Sequence, residues 1–248
     1  MKALILNGSA RGGKGVTGKM VDALIRGLAK GKAGSTTFEI RRMTISPCTG
    51  CLSCMHKNPG ICAVRDDMEL IYEALKASDL LVMATPLYVD TMSAQLKTVM
   101  DRCLACLQPF LIRDDAGRVR HPYTWRMPAK FLLLSTSAFP EPEVFAALLA
   151  TFHAQAANFG SKAAGAICIP GSIALQMESE LLDHHLSLLE EAGKILGQTG
   201  SIPGTLLQEL NTPPVDVDRY LQVAARYEGW CREQLNKARM SREDTSTR

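Results

Sequence analysis

The stretch Lys2-Ala-Leu-Ile-Leu-Asn-Gly-Ser-Ala-Arg-Gly-Gly-Lys-Gly-Val-Thr-Gly-Lys19 decides how the chain is read. Residues 2–7 form a short apolar run closed by Gly8, the pattern of a strand buried in a parallel sheet. Met20, Ala23, Leu24, Gly27 and Leu28 then recur at helical spacing. The glycine-rich segment between them therefore joins a strand to a helix. Backbone amides in such a loop, and the helix N-terminus behind it, can face an anion. Ser9 and Thr17 add hydroxyl donors, while Arg11 and Lys14 add positive charge.

Competing motifs fit this loop less well. Residues 13–18 formally match G-x-G-x-x-G, but they begin several residues past the strand, and Arg41 and Arg42 stand where an acid should close the second strand. Residues 8–15 and 13–20 each approach G-x4-G-K-[ST], yet both lack the final hydroxyl that would hold magnesium. A glycine-rich turn that merely packs is the plain structural alternative.

Working outward, strand and helix patterns alternate. Strands are expected at 36–43, 79–84, 130–137 and 163–169, with helices following residues 66–67, 93 and 141. Two longer helices, 176–197 and 215–237, flank a Pro- and Gly-rich link at 200–214. Residues 108–128 show no clear period and read as an excursion, and 241–248 as a polar, frayed tail. Five strands separated by helices predict an α/β doubly wound, five-stranded parallel sheet with extra C-terminal helices, the whole of 1–240 forming one domain. Ligands of such sheets bind beyond the carboxyl ends of the strands, at the topological switch point. That gathers loops 8–18, 85–93 and 135–142.

The loop after the second strand carries Cys48, Cys51, Cys54 and Cys62, a C-x2-C-x2-C-x7-C. Three thiols at steps of three can be turned inward by one tight turn and a fourth closes the shell, the ligand set of a [4Fe-4S] cluster. Zinc sites more often pair two separate knuckles or add histidines. Reduced or redox-active thiols holding no metal are the competing reading. Cys103 and Cys106 form a second C-x2-C on an apolar helix stripe and read as core or interface thiols; Cys168 and Cys231 read as structural. Adjacent His184 and His185 point apart on a helix and do not suggest a metal site. Asp66 and Asp67 read as helix caps.

The chain has 248 residues and a net charge of +3, long enough for one sizeable core and too weakly charged to argue for nucleic acid or a membrane surface. The opening residues are too short an apolar stretch for a signal peptide, and no run approaches a membrane span. Eight cysteines then suggest a cytoplasmic protein with reduced thiols.

These features together resemble the iron-sulfur flavoprotein branch of the NADPH-dependent FMN reductase-like family, which has a flavodoxin-like fold. The resemblance rests on Leu6-Asn-Gly-Ser-Ala-Arg11, on the cysteine run followed by Asp66-Asp67-Met68, on Ala84-Thr-Pro-Leu-Tyr88, and on Met92-Ser-Ala-Gln-Leu-Lys97 with Asp101-Arg102. It covers about residues 1–170. It implies that Ser9, Arg11 and Thr17 contact an FMN phosphate, that Pro86, Leu87 and Tyr88 line the flavin, and that Ser135, Thr136 and Ser137 meet its ring. Cys48, Cys51, Cys54 and Cys62 would be the cluster ligands. The first loop departs from the family pattern, one residue longer and with Val16 where Asn is common.

The expected function is an FMN-dependent oxidoreductase, with the flavin and no protein side chain carrying the chemistry. Electrons would come from NAD(P)H or a ferredoxin-like carrier and go to a small-molecule acceptor or such a carrier, in a homo-oligomer, dimer or tetramer. The alternatives are a P-loop-like nucleotide-binding protein and a non-catalytic flavin- or metal-binding module.

Overall fold

The apolar runs that open at Ala3, Leu80 and Phe131 are neighbouring strands of one parallel sheet. The computed structural model describes residues 1–114 and 117–246, with 238–246 described by backbone alone. In chain order the elements are β1 (Lys2–Asn7), α1 (Val16–Lys30), β2 (Gly34–Glu39), a single turn α2 (Ser53–His56), α3 (Met68–Lys76), β3 (Leu80–Pro86) and α4 (Ala94–Arg102). There follow the short β4 (Ile112–Arg113) and β5 (Val119–Arg120), then β6 (Lys130–Thr136), α5 (Ala146–Asn158) and β7 (Lys162–Ile169). Helices α6 (Ser172–Met177), α7 (Ser179–Thr199), α8 (Gly204–Asn211) and α9 (Val217–Ser246) complete the chain.

The main sheet runs β2-β1-β3-β6-β7, all parallel. Counting its strands alone, this is the 2-1-3-4-5 order of flavodoxin-like folds, whose switch point lies between β1 and β3. Register brings the ends level: Asn7 pairs with Ala84, Pro86 with Thr136 and Thr136 with Ile169.

Alternate strand residues feed two cores. Leu4, Leu6, Met83 and Leu133 pack against α3, α4 and α5 through Ile71, Leu96, Val99 and Phe152. Ala3, Ile5, Val82 and Leu132 face α1 and α7 through Met20, Leu24, Leu189 and Leu196. The α1–α7 crossing is close enough to require glycine. A Cβ at Gly27 would lie 2.1 Å from the Glu190 carbonyl oxygen, and one at Gly193 would lie 2.6 Å from that of Leu24. Glu190 accepts from Arg26 at 2.8 Å and also from Lys30.

Several boundaries differ from the sequence expectation. β2 stops at Glu39, where Ile40–Arg42 form a 3-10 turn that drives Ile40 into the core. The expected link 200–214 contains α8, whose Leu210 is buried. The excursion 108–128 carries the antiparallel pair β4–β5, with residues 115 and 116 of this segment outside the described residues. The expected polar tail from 241 continues α9 to Ser246, and 247–248 lie outside the described residues. No helix among the described residues is long and apolar enough to cross a membrane.

Candidate functional site

A crevice of about 350 Å³ opens at the carboxyl ends of β1, β3 and β6. Its floor is built by the first loop. Leaving β1, Asn7 turns its Oδ1 back to accept the Ser9 backbone N–H at 3.0 Å, and the Gly8 N–H donates to Ala84 O at 2.7 Å. Residues 12–14 form a 3-10 turn and α1 begins after Gly15, which offers no side-chain cap. The first amides of α1 are thus left without a capping side chain, and an anion is the partner they suit. Gly18 permits this fold-back, since a Cβ there would lie 2.0 Å from the Gly12 carbonyl oxygen.

The loops are tied to one another by hydroxyls. Thr17 Oγ1 and Thr136 Oγ1 stand 2.7 Å apart in a buried hydrogen bond that joins α1 to the end of β6. Ser93 Oγ donates to Gly8 O at 2.8 Å, and the Ser93 N–H donates to Thr85 Oγ1 at 2.9 Å, fixing β3's loop against β1's. The Leu87 N–H donates to Thr136 O at 2.8 Å. Beyond it, Tyr88 and Thr91 exchange backbone hydrogen bonds around Val89 and Asp90, both left-handed at φ 46° and 61°. A β-branched residue is strained there. This tight tip holds Tyr88 half-exposed on the crevice wall.

Of the residues expected from the sequence, Ser9, Arg11, Thr17, Pro86, Leu87, Tyr88 and Thr136 line this crevice. Ser135 and Ser137 do not. Alternation along β6 buries Ser135 completely, its Oγ without a hydrogen-bond partner, and the Ser137 Oγ accepts the Phe139 N–H at 3.1 Å. Sequence reasoning missed the opposite wall, formed by Gln176 of α6 and Tyr227 of α9. Gln176 Oε1 accepts from Arg11 Nη1 at 3.4 Å, and Tyr227 stacks on Trp230 at 5.7 Å. α9 is anchored beside the crevice by Tyr220, whose hydroxyl donates to Ala138 O at 2.6 Å, and by Arg219 and Arg226 on Glu178. No motif marks Tyr227; only the packing of α9 on α6 brings it there.

Cys48, Cys51, Cys54 and Cys62 all line a second, smaller crevice with Arg102 and Leu104. Gly50 and Leu52 are left-handed, at φ 66° and 52°, and bend the chain between the thiols. Burial pushes the Cys54 thiol up, and the neighbouring sulfurs of Cys62, Cys48 and Cys51 add to it. Cys51 is exposed and lowered, chiefly by a hydrogen bond from the Ser53 backbone and then by Thr49. The donor set and shared crevice suit an iron-sulfur cluster, although among the described residues no three His, Cys, Asp or Glu side chains are already drawn together as a metal group. The two crevices share no lining residue.

Beneath the cysteine loop lies a buried ion pair. Arg102 Nη1 and Nη2 donate to the two Asp66 oxygens at 2.9 and 3.1 Å, and also to Ser46 O at 2.8 Å and Val64 O at 3.1 Å. Asp66 further accepts the Ser46 and Met68 N–H groups at 2.9 and 3.1 Å. Burial pushes its carboxyl up, but these hydrogen bonds outweigh that and leave it below the usual carboxylate range. Asp66 is thus a loop clasp as well as a cap. Cys103 and Cys106 are both fully buried, burial holding both thiols protonated, the latter pushed up to about 12. Cys168 is likewise pushed up to about 12 by burial. His185 is buried on Leu181 O, with its ring edge-on to His184.

The fold and its crevice define a class: a flavodoxin-like α/β protein with a glycine-rich loop at the switch point and a four-thiol loop beside the sheet. Residues 1–119 match the family model NADPH-dependent FMN reductase. An iron-sulfur flavoprotein of Archaeoglobus fulgidus is 49% identical over 69 residues, 27% of this chain and 34% of that protein. The chain spans between 34% and 60% of the length of the curated relatives it matches. Among solved structures, an NAD(P)H:quinone oxidoreductase from Methanothermobacter marburgensis superposes with TM-score 0.59 at 15% identity, over 79% of this chain and 94% of that one. An FMN-dependent NADH-azoreductase from Bacillus anthracis, in complex with FMN, gives TM-score 0.57 at 14% identity, over 79% and 100%. At these identities the two structures speak for the fold alone.

Proposed function

We propose that the protein is an FMN-dependent oxidoreductase whose switch-point crevice holds FMN and whose cysteine crevice holds a [4Fe-4S] cluster. One observation carries the flavin reading: the crevice joins an uncapped helix N-terminus and Arg11 to a wall bearing an exposed aromatic, Tyr88. A phosphate at one end and a planar ring at the other suit that arrangement. When bound, FMN supplies hydride acceptance from NAD(P)H and release of electrons in pairs to a small oxidant such as a quinone, or singly to the cluster and a ferredoxin-like carrier.

The chain's own residues bind and orient. Ser9, Arg11, Thr17 and the first amides of α1 take the phosphate dianion. Thr17 and Thr136, already bonded to one another, keep that end rigid. Pro86 and Leu87 form the apolar wall, while Tyr88 and Tyr227 exclude water at the mouth. Ser135 and Ser137 act through the backbone of the β6 end rather than by contact. Cys48, Cys51, Cys54 and Cys62 would hold the cluster, supported by their shared crevice and by the relatives named iron-sulfur flavoproteins.

The same reading takes residues 1–240 as one FMN-binding domain of a cytoplasmic homo-oligomer, dimer or tetramer, with exposed Phe110, Leu111 and Ile112 on the excursion in support. The test is anaerobic purification with flavin, iron and sulfide quantitation, then NAD(P)H oxidation with a quinone. One FMN per chain and flavin-dependent turnover support the proposal. Absence of flavin after reconstitution overturns it, and absence of iron removes the cluster part alone.

A further inference from the structure

The cysteine loop is held at both ends by one side chain. Ser46 precedes the first cysteine by two residues and Val64 follows the last by two, and both carbonyls accept from Arg102. Asp66 occupies the same guanidinium and also takes the Ser46 N–H. Arg102 has no exposed side-chain surface and is the one arginine among the described residues that is buried. Four of its five N–H groups sit on the two Nη atoms, which are committed to Asp66 and the loop carbonyls. The fifth is Nε–H, which is buried with no hydrogen-bond partner, although Arg102 lines the crevice with the four cysteines. A buried donor without an acceptor is uncommon and marks a place where a partner is missing.

We propose that Arg102 is the positioning residue of the cysteine site, clasping both ends of the loop and presenting Nε–H as a hydrogen-bond donor to a sulfur of the bound cluster. This rests on the reading that the four thiols hold a cluster. Hydrogen bonds to cluster sulfur favour the more negative, reduced state, so the donor raises the reduction potential. Lysine keeps the charge but loses the planar fork, and so satisfies neither two loop ends nor a fixed Nε direction. The same arrangement explains why α4 carries an arginine on its buried stripe.

The test uses full-length wild type and Arg102→Lys, reconstituted anaerobically, with iron and sulfide content and an electron paramagnetic resonance titration of the reduced cluster as readouts. The inference predicts either loss of iron from a variant that still binds FMN, or a loaded variant that is harder to reduce. In the second case its reduced-to-oxidised ratio at a fixed potential falls by about tenfold, which is about 59 mV for one electron. Equal iron content with an equal potential overturns it. Should Arg102→Lys not fold, wild type labelled with 15Nε arginine gives the variant-free measurement. The exchange-protected Nε–H resonance of the buried arginine shifts on loading if it bonds to cluster sulfur, and an unshifted resonance refutes the role. Wild type that takes up no iron removes the cluster reading and this inference with it, a result distinct from a loaded wild type matched by its variant.

Discussion

Gly18→Ala isolates the first loop's contribution to flavin binding, because the same loop supplies its own control. Alanine is the better helix former by about 1 kcal/mol, so propensity alone predicts a more stable protein. The structure predicts the reverse. A Cβ at Gly18 would lie 2.0 Å from Gly12 O, 2.5 Å from Gly12 C and 2.8 Å from Gly13 Cα, all backbone atoms that no rotamer change can move. Relief requires the 12–14 turn to lift off α1 by more than 1 Å, roughly the gap between 2.0 Å and an ordinary contact. Overpacking of this kind costs about 1–3 kcal/mol. The displaced turn lies between Arg11 and the α1 amides, so FMN affinity should fall at least about tenfold, roughly 1.4 kcal/mol. At Gly13 a Cβ would meet nothing nearer than Asp22 Oδ2 at 3.8 Å, so Gly13→Ala should stay within about twofold. Fluorescence titration of the apoproteins with FMN, beside urea unfolding, reads both effects. Equal FMN affinity in Gly18→Ala and Gly13→Ala would refute the assignment of the phosphate to this turn.

Three further outcomes follow from the geometry. Cys51→Ser should lower iron and sulfide per chain while FMN stays bound, whereas Cys103→Ser, whose thiol donates to Val99 O in the core, should lower neither; iron loss in both would place the ligands wrongly. Gly193→Leu forces a side chain into the α1–α7 crossing and should destabilise by about 1–3 kcal/mol in urea unfolding, with an unchanged midpoint arguing against so close a crossing. The Asp66 carboxyl, lowered by Arg102 and two backbone N–H groups despite its burial, contributes stability that is complete above the unfolded value near 4 and lost as pH falls through the lower folded value. Urea midpoints should therefore drop between about pH 5 and pH 2, and more steeply in wild type than in Asp66→Asn; parallel curves would show that the clasp is not formed.

The sequence made the sheet legible where strands are buried on both faces. β1, β3 and β6 are built on apolar runs, and parallel topology alone assigns the loops after them to one edge. β2 is harder to place, since Gly34-Ser-Thr-Thr-Phe-Glu39 is an exposed edge strand with one large apolar residue, Phe38, and the core-packing Ile40 and Met43 come after it ends. α8 hid in a segment whose Pro203 and Gly204 read as a link but serve as its start. For the site, local pattern located the glycine loop, the Pro86–Tyr88 wall and the four thiols. It could not tell Thr136 from Ser135 and Ser137, because only the strand's alternation decides which hydroxyl faces the crevice. Arg102 and Asp66 are separated by 36 residues, and Tyr227 lies on the last helix, so both contributions depend on tertiary packing. A signal existed for Arg102: it falls three residues after Val99 on an otherwise apolar stripe, where a charge needs a buried partner.

Loop 9–17 and the α1 N-terminus are proposed to hold the phosphate of FMN. Calorimetric titration of the flavin-free protein with FMN and riboflavin, in wild type and in the Arg11→Ala, Thr17→Ala double variant, tests it directly. Charge-assisted bonds of about 1.5–3 kcal/mol each predict that wild type binds FMN at least about tenfold more tightly than riboflavin, and that the double variant loses most of this preference while binding riboflavin as before. Equal affinity of wild type for FMN and riboflavin, or an undiminished preference in the double variant, would contradict the account.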